Sequence, residues 1–299
     1  MGAALRGPLE RAHASLDGLS VGDAFGECLF HDEQAIELRL LPPPRWVTTD
    51  DTEMAVALVD VLRRHGGVEQ EALAHAFARR HAFDPYRGYG AGAHDILRAI
   101  HSGRPWGEAA GEAFGGRGSM GNGSAMRVAP LGAYFADDEE RLVEEATKSA
   151  MVTHAHLDGQ AGAVAVAVAA GWAARGGGEA TELFETVLAA TPSGPTREAV
   201  AKASELPLDS DPLSIALEIG AGWNTLCADT VPFCLWVVAR HSSDFCEALW
   251  TTVSVPGDRD TNCAIVSGIV AARTGPEGIP DDWLTAREPL RHDLDLSGD

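Results

Sequence analysis

Apolar residues in this chain recur at helical spacing almost from end to end, and no segment sustains the alternation of a half-buried strand. In residues 52–65, Met54, Ala57, Leu58, Val61 and Leu62 fall on one helical face, and Gly66-Gly67 closes the segment. Comparable patterns predict helices over residues 9–25, opened by Pro8, and then 69–81, 93–100, 106–114 and 124–135. Further helices are expected over 137–153, 157–174, 179–190, 196–206, 212–219, 231–240, 244–253 and 261–272. No repeat of fixed period and no low-complexity linker interrupts them. The expected fold is therefore all-α, a compact multi-helix single domain over residues 1–299 with a central cleft. Residues 275–299 are polar and proline-punctuated, and are expected to form a peripheral C-terminal segment.

The 45% hydrophobic content is enough to bury a large core, and the formal net charge is -21. So acidic a surface repels nucleic-acid phosphates and anionic lipid, which disfavours a nucleic-acid partner and a membrane role. An anionic substrate then needs neutralising charge inside its site, and bound cations would supply it. Five cysteines, with no CxxC pair, read as a reduced cytosolic protein rather than a disulfide scaffold or zinc site. The N-terminal residues lack the apolar run of a signal peptide. The most apolar stretch, residues 161–174, falls short of the about 20 residues that span a bilayer. A cytoplasmic monomer is the expectation.

Two acidic helix starts stand out. Thr48-Thr49-Asp50-Asp51-Thr52 places adjacent carboxylates where a capping box would sit, and Pro256-Gly257-Asp258-Arg259-Asp260-Thr261-Asn262 does the same before a second apolar run. Either alone reads equally well as a helix cap. An EF-hand is excluded, because the loop counted from Asp258 has Cys263 at its sixth position and Ile269 at its twelfth. Together they offer carboxylates and threonine hydroxyls and no soft ligand, a set suited to Mg²⁺, Mn²⁺ or Ca²⁺. Two such ions can orient a substrate diol and acidify a water. Local spacing does not say whether the two loops meet.

Four further motifs carry weaker signals. Gly121-Asn122-Gly123-Ser124-Ala125-Met126-Arg127-Val128-Ala129-Pro130 is a glycine-rich helix start, where backbone N–H groups could approach a phosphate or simply form a turn. Thr153-His154-Ala155-His156 spaces its histidines so that they cannot share a metal on one helix. Gly22-Asp23-Ala24-Phe25-Gly26 and Arg87-Gly88-Tyr89-Gly90 read locally as a helix end and a turn.

In this order, the motifs from about Leu16 to Ala272 resemble those of the ADP-ribosylglycohydrolase family, which includes the dinitrogenase-reductase-activating hydrolase and the vertebrate ADP-ribosyl-acceptor hydrolases. The resemblance implies an all-α fold with a central cleft and two divalent metal ions, magnesium or manganese. It implies that Thr49, Asp50, Asp51, Asp258, Asp260 and Thr261 are metal ligands. Gly121, Asn122, Gly123, Ser124 and Met126 would cradle ADP-ribose, with His154 beside it and Tyr89 and Gly90 lining the cleft. The implied reaction is removal of ADP-ribose from a protein or small-molecule acceptor by metal-assisted attack of water at ribose C1″, with Asp258 helping to deprotonate that water. One departure bears on catalysis. Many members carry a Glu seven residues after the Asp of the GDAxG motif, and Phe30 stands there in this chain; Glu27 is the candidate substitute, with His31, Asp32 and Glu33 nearby, unless the metal-bound carboxylates take the role or the usual activity is lost. An ADP-ribose binder without turnover, or a metal-dependent hydrolase of another glycoside or phosphoester, are the alternatives.

Overall fold

The structure, a computed structural model, describes residues 6–292. Those residues form a succession of helices: α1 (Pro8–Cys28), α2 (Glu33–Leu38), α3 (Asp50–His65), α4 (Gln70–Phe83), α5 (Ala91–His101), α6 (Trp106–Gly116), α7 (Ala129–Tyr134) and α8 (Glu139–Met151) in the first half. The second half contains α9 (Leu157–Ala174), α10 (Ala180–Ala190), α11 (Pro195–Ser204), α12 (Pro212–Ile219), α13 (Cys227–His241), α14 (Phe245–Val253), α15 (Arg259–Thr274) and α16 (Asp281–Ala286). The only β pairing among the described residues is two isolated bridges, Trp46 with Arg287 and Gly121 with Leu226. A large buried apolar cluster runs from Val21 to Ala286, and a smaller one joins Leu16 and Leu19 of α1 to Ala55, Val56 and Val59 of α3 and Ala264 of α15.

The tightest helix pairing, α1 on α15, is made possible by a glycine stripe. Gly18, Gly22 and Gly26 recur every fourth residue and so share one face of α1. A Cβ on Gly18 would lie 2.2 Å from the Ala271 Cβ, one on Gly22 2.4 Å from the Cys263 carbonyl oxygen, and one on Gly26 2.4 Å from that of Arg259. Only glycine permits this approach. It brings Asp23 of α1 alongside the acidic N-terminus of α15. Helix α3 packs on the same pair, and every residue from Asp50 to Leu62 is buried.

Helix α9 is long and apolar enough to cross a membrane by composition, yet 83% of it is buried inside the protein. It runs over 18 residues, longer than the apolar stretch in it, and is the hub of the core, where alanine and glycine let neighbours approach closely.

Two local expectations are corrected. Residues 124–135 do not form one helix. Asn122–Ser124 is a 3₁₀ turn, and α7 starts only at Ala129, because the backbone of Asn122 pairs with Thr225 and Ser124 donates to the Gly159 carbonyl. The C-terminal segment is also not merely peripheral. Ile279 and Trp283 are buried, and the Trp283 ring stacks on Phe25 with centroids 4.7 Å apart. Residues 293–299 of that segment lie outside the described residues.

Candidate active site

The two acidic helix starts meet. Asp50, Asp51, Asp258, Asp260 and Thr261 line one cleft of about 350 Å³. Thr49 caps α3, its hydroxyl accepting from the Asp51 N–H. The loop before α15 is held by the Asp258 N–H, which donates to the Ala221 carbonyl, and by Asn262 Nδ2, which donates to the same oxygen at 2.8 Å.

Asp23 joins the loops from beneath and was not assigned a metal role from the sequence. Its Oδ1 accepts from the Thr49 hydroxyl at 2.8 Å; its Oδ2 accepts from the N–H groups of Thr49 and Thr52 and from the Thr52 hydroxyl. One oxygen each of Asp23, Asp51 and Asp260 lies within 4.8 Å of the others. Four hydrogen bonds already occupy the Asp23 carboxylate, which makes it a support for Thr49 and Thr52 in preference to a ligand. The signal for it in the sequence was the acid inside Gly22-Asp23-Ala24-Phe25-Gly26.

The cluster is short of positive charge. Burial, reinforced by the Asp23 carboxylate, pushes Asp50 up to about 8; burial with Asp23, Asp260 and Asp50 nearby pushes Asp51 well above the ordinary carboxylate range. Burial and the Asp258 charge do the same for Asp260, and burial raises Asp23 to about 6. Asp51 Oδ1 and Asp260 Oδ1 are both buried with no hydrogen-bond partner. Orphaned carboxylate oxygens facing one cleft cost several kcal/mol each unless a cation compensates them. All donors are hard oxygens, so the residues present fit one or more divalent cations of the magnesium type.

The glycine-rich loop forms the opposite wall. Gly121, Asn122, Gly123 and Met126 line the cleft with His154, Gly88 and Gly90. Asn122 Nδ2 donates to Asp258 Oδ2 at 2.6 Å and to the Thr230 hydroxyl at 3.0 Å, tying the loop to the acidic cluster. Ser124 is fully buried and structural, outside the lining. Tyr89 also turns away: its ring packs on His81 and His94, with centroids 4.9 and 6.0 Å away. Because the loop enters a 3₁₀ turn and not an α-helix, no helix N-terminus faces the cleft there.

Several cleft residues were given no role by the sequence reading, Arg127 and Phe114 among them. Arg127 is fully buried beneath the loop, its guanidinium 4.5 Å from the Phe77 ring centroid, and burial lowers its pKa to about 9. Phe114 interrupts α6 with φ 55, a left-handed conformation that costs a non-glycine residue energy, and its half-exposed ring lies over Gly92 at the cleft rim. Nothing in their local spacing marked either.

A second cavity of about 260 Å³ opens beyond the acidic cluster, sharing Gly88 and Asp260 with the cleft. Glu27, Val47, Thr48, Thr49, Asp84, Tyr86 and Arg87 complete its walls. Glu27 stands on the last turn of α1, exposed, its carboxylate without a hydrogen-bond or ion-pair partner among the described residues. Phe30 follows on a segment pinned by Arg259, whose guanidinium donates to the Phe30 carbonyl at 2.8 Å and to Glu33 at 3.0 Å.

The structure defines a class of all-α protein with paired acidic helix starts facing a glycine-rich loop across a cleft. The chain matches the ADP-ribosylglycohydrolase family model over residues 4–297 and belongs to that family. Among its relatives is the ADP-ribosylhydrolase ARH3 of Bos taurus, 30% identical over 272 residues, spanning 80% of this chain and 74% of that protein. The ADP-ribosylarginine hydrolase Tri1 of Pseudomonas putida (strain GB-1) is 26% identical, over 92% of this chain and 74% of its own length. A solved ADP-ribosylglycohydrolase-related protein complex superposes with a TM-score of 0.70 at 25% identity, covering 94% of this chain and 93% of that one.

Proposed function

We propose that the protein hydrolyses the bond between ribose C1″ of ADP-ribose and an acceptor group. The observation that carries this reading is the pair of orphaned carboxylate oxygens, Asp51 Oδ1 and Asp260 Oδ1, in the cleft that the glycine-rich loop closes from the other side. Asp50, Asp51, Asp258 and Asp260, with Thr49 and Thr261 beside them, would hold two Mg²⁺ or Mn²⁺ ions. Such ions supply Lewis acidity toward a sugar diol and toward water.

The protein's own groups do the rest. Gly121 and Gly123 have no side chains to obstruct a diphosphate, and His154 lies against both. Phe114 and Ile96 offer apolar surface for a base at the outer end of the cleft. Asn122 donates to Asp258 Oδ2 and helps to orient the carboxylate that would take a proton from the attacking water. Water oxygen bonds to C1″ as the bond from C1″ to the acceptor breaks, and the acceptor departs with a proton. The second cavity, with Glu27 in its wall, would receive the acceptor, and Glu27 would supply that proton.

The test is turnover of arginine-linked and serine-linked ADP-ribosyl peptides with Mg²⁺ and with Mn²⁺. Release of ADP-ribose that disappears in Asp258→Ala supports the reading; full activity in that variant ends it. Phe30, at the position where the family resemblance leads to the expectation of an acid, favours a second reading, an ADP-ribose binder without turnover. Calorimetric binding of ADP-ribose with no product from any peptide would establish that one.

A further inference from the structure

His154 is the one histidine in the cleft, and a proton relay beneath it determines what it can offer a ligand. Its Nδ1 lies 2.7 Å from the Thr153 hydroxyl oxygen. That oxygen accepts from the Arg127 guanidinium at 3.0 Å. Arg127 is held in turn by donating to the Gly123 carbonyl at 3.0 Å and to the Ser149 carbonyl at 2.9 Å. A guanidinium only donates, so the Thr153 oxygen has a fixed role toward Arg127, and its own proton needs an acceptor. Thr153 is buried, 2% exposed, and His154 Nδ1 is the one acceptor its hydroxyl reaches among the described residues. Were Nδ1 protonated instead, the Thr153 proton would be left buried and unmatched, which is unfavourable.

We infer that the Arg127–Thr153 pair locks His154 in the Nε2–H tautomer, making it a hydrogen-bond donor to an anionic or ribose oxygen lodged beside Gly121 and Gly123. Nε2 faces that space: Cβ atoms built on Gly121 and Gly123 would lie 3.6 and 3.5 Å from it. No protein acceptor among the described residues takes the Nε2 proton. Burial lowers the His154 pKa to about 3, so the ring is neutral at working pH and the tautomer decides its chemistry. A neutral donor discriminates in favour of acceptor oxygens without adding a second buried cation beside Arg127. Arg127 and Thr153 are positioning residues here, acting through His154. The identity of the ligand as ADP-ribose rests on the proposed function; the tautomer does not.

The experiment is a long-range ¹H–¹⁵N spectrum of the full-length protein labelled at histidine, with ADP-ribose affinity measured by calorimetry at saturating Mg²⁺. The wild type is expected to show His154 with Nε2 protonated and Nδ1 bare; the opposite tautomer overturns the inference without any variant. In Thr153→Val, the Nε2–H population should fall and the ADP-ribose Kd should rise about fivefold to tenfold. Thr153→Ser, which keeps the hydroxyl, should restore both. An unchanged tautomer and Kd in Thr153→Val overturn the relay. Should wild-type protein show the Nε2–H tautomer yet bind no ADP-ribose, the ligand assignment fails and the relay stands.

Discussion

Asn122 Nδ2 donates to Asp258 Oδ2 at 2.6 Å, joining two residues 136 positions apart. Through this bond the glycine-rich loop sets the orientation of the carboxylate proposed to activate water. Any change in one wall of the cleft is therefore felt in the other.

Removing that bond is the first prediction. A hydrogen bond to a charged group contributes about 1.5–3 kcal/mol, so Asn122→Ala should lower kcat/KM for an ADP-ribosylated peptide by about 10- to 100-fold. Steady-state kinetics decide it, and unchanged kcat/KM counts against the orienting role.

The acidic cluster makes a second, opposed pair of effects. Mg²⁺ or Mn²⁺ should raise the melting temperature of the wild type, by mass action worth about 2.7 kcal/mol at a hundredfold excess over Kd. Asp51→Asn should abolish that gain while melting higher than the wild type in the presence of a chelator, because it removes one of several mutually repelling buried carboxylates. Thermal denaturation with and without metal reads both effects; a metal response that survives in Asp51→Asn would remove Asp51 from the ligand set.

The α1–α15 contact supports the site mechanically. A Cβ at Gly22 would sit 2.0 Å from the Ser267 hydroxyl oxygen and 2.4 Å from the Cys263 carbonyl oxygen. Gly22→Ala should cost about 1–3 kcal/mol or more, and should weaken metal binding by displacing Asp23. Urea denaturation and metal titration of the same variant check both parts. A stable Gly22→Ala with intact metal affinity would show that the helices can part freely.

His154 provides the pH prediction. Its folded pKa of about 3 lies below the ordinary 6.5, chiefly because of burial and next because of the Arg127 charge. The unfolded chain therefore takes up a proton that the folded one refuses. The contribution to stability is fully present above pH 6.5 and drains away as the pH falls toward 3. Between pH 7 and 5 the loss is about 2 kcal/mol. His81, His13 and His241 are also lowered, so the difference between wild type and His154→Gln isolates the effect. Parallel pH–stability curves for the two proteins would contradict it.

Tyr86 is 94% exposed in the wall of the second cavity. Tyr86→Ala should change stability by less than about 0.5 kcal/mol and leave ADP-ribose binding intact. It should alter the ratio of kcat/KM between arginine- and serine-linked substrates, if that cavity receives the acceptor. An unaltered ratio would place the acceptor elsewhere.

Helical periodicity located α3, α9 and α12 closely, because an amphipathic or wholly buried helix writes its environment into residues three and four apart. It failed at residues 124–135, where long-range bonds from Asn122 and Ser124 outcompete a propensity that looks helical. It also missed the burial of Trp283, since a single aromatic residue has no period. The acidic residues were legible as hard-ligand donors, but whether they were caps or a cluster was a question about distance.

What the sequence determined by itself is the all-helical class and the chemistry of each donor, both of which depend on residue type and on neighbours within one helical turn. What only the tertiary structure decided is how those donors are used. Asp23 and Thr49 are 26 residues apart and Arg127 and Thr153 are also 26 apart, yet each pair shares a hydrogen bond. Such contacts arise from packing, here from glycines that bring α1 onto α15 and from a loop that the core holds away from helix. Charge compensation, tautomer and cleft shape are properties of that packing, set by which groups are left facing each other once the core has closed.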